Sequence, residues 1–274
     1  MLDKIKKTIA KHNMLESNDK ELVALSGGAD SVCLCLVLKE LGFNIGAAHI
    51  NHKIREEAYD DALFVKAFCE KNNIRLHLLE EDVRKIAEKE KVSEEVAGRN
   101  VRYAFFEKTA KEFGYNKIAV AHNMYDNAET VLLNLVRGAG SKGLCAIPEK
   151  RGNIIRPLLK TSREEIEEYL KSKNQSFVID KTNLECNYNR NKIRNLVIPK
   201  LKEINSSFVD NVSRTSDIIR EENEFLDECA EKLVNINNEK KIAYLIKKDF
   251  LNAHKAIKAR ALHMAYEFVA GTGK

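Results

Sequence analysis

The chain has 274 residues, 44% hydrophobic and 32% charged, with three prolines and a net charge of +5. That balance buries a sizeable core and excludes a disordered polyelectrolyte, a collagen-like repeat or a proline-rich stalk. The longest run of aliphatic and cysteine residues, Val32 to Leu38, is seven residues, far below the ~20 a membrane helix needs.

In chain order, the opening MLDKIKKTIAKHNML scatters lysines among apolar residues and lacks a small-residue cleavage site, so it reads as an amphipathic helix rather than a signal peptide. Strands are predicted at Glu21–Ser26, Phe43–Ile50, Ile74–Glu80 and Lys117–His122, with weaker ones at Asn153–Leu158 and Ser176–Asp180. Helical periodicity falls near 31–41, 56–72, 93–113, 126–136 and 162–173. Near-continuous apolar strands alternating with helices predict a parallel sheet covered on both faces. Past about residue 185 the strand signal fades, and helices are predicted at 190–202, 208–235 and 247–269. The expected architecture is therefore a doubly wound, mostly parallel α/β domain over 1–185, followed by a smaller all-helical domain over 186–274. The last residues, Ala270-Gly-Thr-Gly-Lys274, show no clear helix cap.

The six cysteines include no C-x-x-C pair, which favours reduced thiols in the cytoplasm over disulfide or metal roles. The positive charge is concentrated. Residues 181–220 carry eight basic side chains against four acidic ones, the signature of a surface for a polyanion.

Ser26-Gly27-Gly28-Ala29-Asp30-Ser31 follows the first strand directly and opens the next helix. Two glycines allow close backbone approach to an anion, and the helix N-terminus adds positive potential. The hydroxyls of Ser26 and Ser31 supply donors, and Asp30 suits a helix cap or a Mg²⁺ ion bridging phosphates. Neither G-x-x-x-x-G-K-[ST] nor G-x-G-x-x-G is present, which disfavours P-loop NTPases and dinucleotide folds.

Further candidates lie where the other strands end. His49 and Asn51 sit in HINHKIR at the close of the second strand; as zinc ligands His49 and His52 lack a third partner at a telling spacing. Arg99 and Arg102 share a helical face and suit phosphate through bidentate geometry. In AHNMYDNAET, Asp126 and Glu129 share a face at a helix start and suit a cationic substrate, with His122 beside them as a proton acceptor or phosphate contact. Arg137 follows this helix, and Arg156 in RPLL is assigned to the cleft. Arg190 and Arg194, four apart, are the expected RNA phosphate contacts.

The loop SGGADS resembles the signature of the PP-loop, or N-type, ATP pyrophosphatases, with their adenine-nucleotide α-hydrolase-like fold. That resemblance implies cleavage of ATP between the α and β phosphates. SGGADS, HINHKIR, EEVAGRNVRYAFFE, AHNMYDNAETVLLNLVRGAG, GLCAIP, IIRPLL and DKTN with NRNKIRNLVIPKL occur in the order found in the tRNA(Ile)-lysidine synthetase family, from about residue 20 to 202. The resemblance implies ATP-driven adenylation of the C2 oxygen of the wobble cytidine, C34, in tRNA(Ile) with a CAU anticodon. Free L-lysine then displaces AMP.

It assigns Asp30, Arg102, His122, Asp126 and Glu129 to catalysis. Ser26 to Ser31, His49, Asn51 and Arg99 go to ATP, and Asp30 also to Mg²⁺. Asp126, Glu129, Arg137, Arg156, Arg190 and Arg194 go to the lysine and tRNA substrates. No membrane is implied, and a homodimer is left open.

Departures are few. Two acids are usual before the small-residue–Glu-Thr run, whereas here Tyr125 precedes Asp126; Asn127 stands where Gln is common, and Cys145 occupies a usually small position. The further C-terminal domain of most members is absent, consistent with truncation or a short natural form. A PP-loop tRNA thiolase and a catalytically silent tRNA-binding relative are the rival readings. The missing C-x-x-C disfavours the first and the intact loop and acids the second.

Overall fold

The computed structural model describes residues 1–51, 58–179 and 189–271. The chain runs α1 (Leu2–Lys11), β1 (Lys20–Ala24), α2 (Ala29–Glu40), β2 (Asn44–Asn51), α3 (Ala58–Lys71), β3 (Arg75–Glu80), α4 (Val83–Glu90), α5 (Glu94–Phe113), β4 (Lys117–Ala119) and α6 (Met124–Val136). After α7 (Ser141–Leu144) come β5 (Lys150–Arg151), β6 (Ile154–Ile155) and α8 (Arg163–Ser172). Helix α9 (Asn189–Lys192) continues through a π-helical turn, Ile193–Val197, into α10 (Ile198–Ile204).

The six strands lie in the order β3-β2-β1-β4-β6-β5, parallel except for β5 against β6. Alternation along β1 separates two cores. Val23 joins Ile5, Val32, Leu34, Val65 and Ile166 beneath α1, α2, α3 and α8, whereas Leu22 joins Phe106, Ala110 and Ile118 beneath α5. The chain leaves β1 toward β2 on one side and later returns to β4 on the other. The carboxyl ends of β1 and β4 therefore flank a topological switch point, where open α/β sheets form their ligand crevice.

Two compact units emerge. The first is Met1–Leu133 with Ile147–Ser213, and the second is Asn134–Ala146 with Arg214–Lys274. The division does not follow a cut at residue 185. Ile193, Ile198 and Val209 form one core with Met124 and Ala128, which holds 189–213 to the sheet unit.

The second unit contains the later part of α11 (Phe208–Glu231), β7 (Val234–Asn237), β8 (Ile242–Leu245), α12 (Lys247–Asn252) and α13 (Lys255–Ala270). Within it Asp227 accepts from Arg260 at 2.5 Å and pairs with Lys142 at 2.9 Å, and Arg220 donates to the Cys145 carbonyl at 2.6 Å.

Three sequence expectations are corrected. The C-terminal region is helical but not all-helical, because β7 and β8 pair as an antiparallel hairpin across the polar NEKK turn. Residues 176–179 form no strand; Val178 instead donates its N–H to the Gly27 carbonyl at 2.9 Å, and residue 180 lies outside the described residues. Gly271 does cap α13, in the left-handed conformation at φ +68°. No helix among the described residues is long and apolar enough to cross a membrane.

Candidate active site

The phosphate loop folds on its own hydroxyls. Ser31 Oγ donates to the Gly28 carbonyl at 3.0 Å and accepts from the Ser26 N–H at 3.2 Å, while the Gly28 N–H reaches Ser26 Oγ at 3.3 Å. Gly27 has φ +93°, and a Cβ there would lie 3.2 Å from the Val178 side chain and 3.3 Å from that of Val65. Glycine is required at this turn for both reasons. Gly28 precedes Ala29 at the start of α2, and no side chain caps that helix, so the loop opens onto its positive end.

Asp30 projects from the first turn of α2 toward α6. Its Oδ1 accepts from Asn123 Nδ2 at 3.1 Å, and Arg163 Nη1 lies 3.3 Å from its Oδ2. Burial pushes its carboxyl above the ordinary range, opposed by Arg163 and reinforced by Asp126. A single hard carboxylate beside an anion loop is the donor set that Mg²⁺ takes when phosphates complete its shell. The described residues contain no cluster of three or more His, Cys, Asp or Glu that could hold a metal ion.

Asn123 is the hinge pin of the site. It is 4% exposed; its Oδ1 caps α6 by accepting from the N–H groups of Tyr125 at 2.8 Å and Asp126 at 3.2 Å. Its own N–H donates to Asp126 Oδ2 at 2.9 Å. One residue therefore orients both Asp30 and Asp126.

Glu129, one turn on, is 0% exposed, and both its oxygens are met by arginine. Arg194 Nε donates to Oε1 at 2.5 Å and its Nη2 to Oε2 at 3.1 Å; Arg190 Nε reaches Oε2 at 3.0 Å. Arg194 Nη2 also reaches Asp126 Oδ1 at 3.2 Å, and Arg190 Nη2 reaches Thr130 Oγ1 at 2.9 Å. Burial raises the Glu129 carboxyl, with Arg194 pulling against it. The two arginines do share a face, as their spacing predicts, but that face turns inward to the acids rather than standing as a solvated basic surface.

His122 closes the site at the end of β4. Its Nδ1 lies 3.3 Å from Arg156 Nε, and Arg156, 4% exposed, is tied to the Pro148 carbonyl at 2.7 Å. Burial pushes His122 down to about 4, with Arg156, Arg190 and Arg102 opposing and Asp126 favouring its protonation. His49 and Asn51 are buried at the end of β2, and His49 Nδ1 donates to the Leu25 carbonyl at 2.8 Å, at the root of the loop. His52 lies outside the described residues. Arg99 and Arg102 are exposed on α5, Arg99 over the Tyr103 ring at 5.2 Å. Arg137 is exposed and belongs to the second unit.

The structure thus gathers Asp30, His122, Asp126, Glu129, Arg156, Arg190 and Arg194 beside the loop. Asn123 and Arg163 were missed by sequence reasoning. The signal for Asn123 was an Asn immediately before a helix, and for Arg163 its place after Ser162 in a capping box with Glu165.

A family model described as a PP-loop domain matches residues 1–201. The chain belongs to the PP-loop domain family. Among its relatives, the protein named tRNA(Ile)-lysidine synthase of Caldanaerobacter subterraneus subsp. tengcongensis is 45% identical, covering 99% of this chain and 60% of the relative. That of Clostridium acetobutylicum is 40% identical over 99% of this chain and 61% of its own length. The chain therefore spans about three-fifths of the curated relatives it matches. Among solved structures, the U34-tRNA thiolase NcsA of Methanococcus maripaludis superposes with a TM-score of 0.67 at 20% identity, over 80% of this chain and 78% of that one. At that identity the likeness concerns the fold alone.

Proposed function

We propose that this PP-loop domain adenylates the wobble cytidine of tRNA(Ile) bearing a CAU anticodon and joins free L-lysine to it. The reading is supported by the acid pair Asp126 and Glu129, held by Asn123 against the phosphate loop that carries Asp30, and by relatives of that name at 40–45% identity.

In the first step the C2 oxygen of C34 attacks the α-phosphorus of ATP, and pyrophosphate leaves into the loop at the start of α2. Ser26 to Ser31 grip that leaving group, and bound Mg²⁺, held by Asp30, would supply charge neutralisation on the phosphates. Arg102 and His122 face the developing charge at the α-phosphate, with His49, Asn51 and Arg99 lining the nucleotide's side. In the second step the lysine ε-ammonium first gives up a proton to solvent, the free amine attacks C2, and the C2–O bond breaks so that AMP leaves with the oxygen. Asp126 and Glu129 recognise the lysine ammonium. Arg190 and Arg194 neutralise those acids when substrate is absent and orient them when it arrives. Arg137 and the basic segment 181–220 favour the tRNA backbone. Such a reaction belongs in the cytoplasm.

The thiolase reading has less support, since the sequence has no C-x-x-C and Cys33, Cys35 and Cys69 are buried. Incubation with ATP labelled at the α-phosphate, Mg²⁺, lysine and unmodified tRNA(Ile) transcript tests the proposal. AMP release that requires C34 is expected; release unaffected by a C34-to-U change would overturn it.

A further inference from the structure

A guanidinium has N–H donors and no lone pair to accept with. A ring nitrogen 3.3 Å from Arg156 Nε must therefore offer its own lone pair. Arg156 is not free to move aside, being 4% exposed and anchored through Nη1 to the Pro148 carbonyl at 2.7 Å. We propose that Arg156 is a positioning residue that locks His122 as its neutral Nε2–H tautomer, so that His122 serves the reaction as a hydrogen-bond donor and not as a base.

The surrounding charges agree. The charges of Arg156 after β6, Arg190 of α9 and Arg102 of α5 all oppose protonation of the ring, and together with burial they outweigh Asp126 of α6. His49 is the internal contrast. The Leu25 carbonyl, which can only accept, lies 2.8 Å from its Nδ1 and holds the opposite tautomer. A neutral Nε2–H in the crevice can donate to a phosphate oxygen as charge builds there, without changing protonation. The donor role rests on the ligase reading; the tautomer does not.

The test is long-range proton–nitrogen NMR on the full chain with labelled histidine, with His122 assigned by its loss in His122→Asn. The expected spectrum shows a pyrrole-type Nε2 and a pyridine-type Nδ1, unchanged from about pH 8 to about pH 5, across the usual titration range. His49 should show the reverse pattern. A protonated Nδ1, or an imidazolium at about pH 6.5, overturns the lock.

Arg156→Lys, which keeps a cationic donor, should preserve the tautomer, whereas Arg156→Met should mix the two forms and raise the ring's titration. An unchanged ring in a folded Arg156→Met protein removes Arg156 from the role, and if that variant does not fold, the wild-type and Arg156→Lys spectra still decide.

For the donor role, His122→Gln should stay within about tenfold of wild-type AMP formation while His122→Ala loses about a hundredfold or more. Equal losses in both would overturn it. A wild-type chain that forms no AMP yet shows the expected spectrum would sink the ligase reading and leave the lock standing.

Discussion

Asn123 donates to Asp30 across 3.1 Å, and this contact couples the phosphate loop after β1 to the acid-bearing helix after β4. Removing it should be felt at both ends. Asn123→Ala is expected to cost about 1–2 kcal/mol of stability through the lost α6 cap, measured by urea unfolding. Asn123→Asp keeps the cap but places a second anion beside Asp30, so it should recover most of that stability while weakening Mg²⁺-dependent ATP binding. Equal ATP affinity in wild type and Asn123→Asp would contradict the coupling.

Glu129 and Arg194 should be energetically inseparable. Glu129→Gln leaves two arginines facing a neutral amide, and Arg194→Ala leaves a buried carboxylate with one partner fewer. Each change should destabilise the chain, by about 1–3 kcal/mol for Arg194→Ala because that side chain is partly exposed. A double-mutant cycle should give a coupling of at least about 1 kcal/mol. A coupling near zero would mean that Arg194 belongs to an independent RNA surface.

Gly27→Ala forces a Cβ onto a residue at φ +93° and against Val178 and Val65. A loss of about 1–3 kcal/mol is expected, with weakened ATP binding. Gly42 has a similar φ of +86° but open space around a Cβ, so Gly42→Ala should cost less and leave ATP binding intact. A calorimetric comparison of the two variants checks both points.

Glu21 sets a pH dependence remote from the chemistry. It is fully buried in β1, its carboxyl oxygens have no hydrogen-bond partner among the described residues, and burial raises its pKa from 4.5 to about 8. The folded state then holds a proton that the unfolded state has released, so stability should fall as pH rises from about 4.5 toward about 8. Each pH unit of that window contributes up to about 1.4 kcal/mol. Glu21→Gln should flatten the slope and stabilise the chain most at the alkaline end. An unaltered slope in unfolding titrations would show that Glu21 is not the group responsible.

Much of this was legible in the sequence because the signals are local. Apolar strands and a Ser-Gly-Gly turn are read from neighbouring residues, and the first five helices of the sheet unit fall close to their predicted places, apart from α4. What was not legible depends on partners distant in sequence. Residues 176–179 look like a strand by composition, yet they spend a backbone N–H on Gly27. The basic character of Arg190 and Arg194 was plain, but their direction was not, since it depends on acids about sixty positions away. The unit boundary moved for the same reason, because the apolar residues of α10 and α11 pack on α6.

Transfer of labelled lysine to unmodified tRNA(Ile) bearing a CAU anticodon, with ATP and Mg²⁺, tests the central claim most directly. The account predicts label in the tRNA that disappears when C34 is changed to U, and near-complete loss of transfer, with ATP-dependent adenylation of the tRNA retained, in Glu129→Gln. Full lysine transfer by Glu129→Gln, or tRNA-dependent AMP release with no lysine ever incorporated by the wild-type chain, would contradict it.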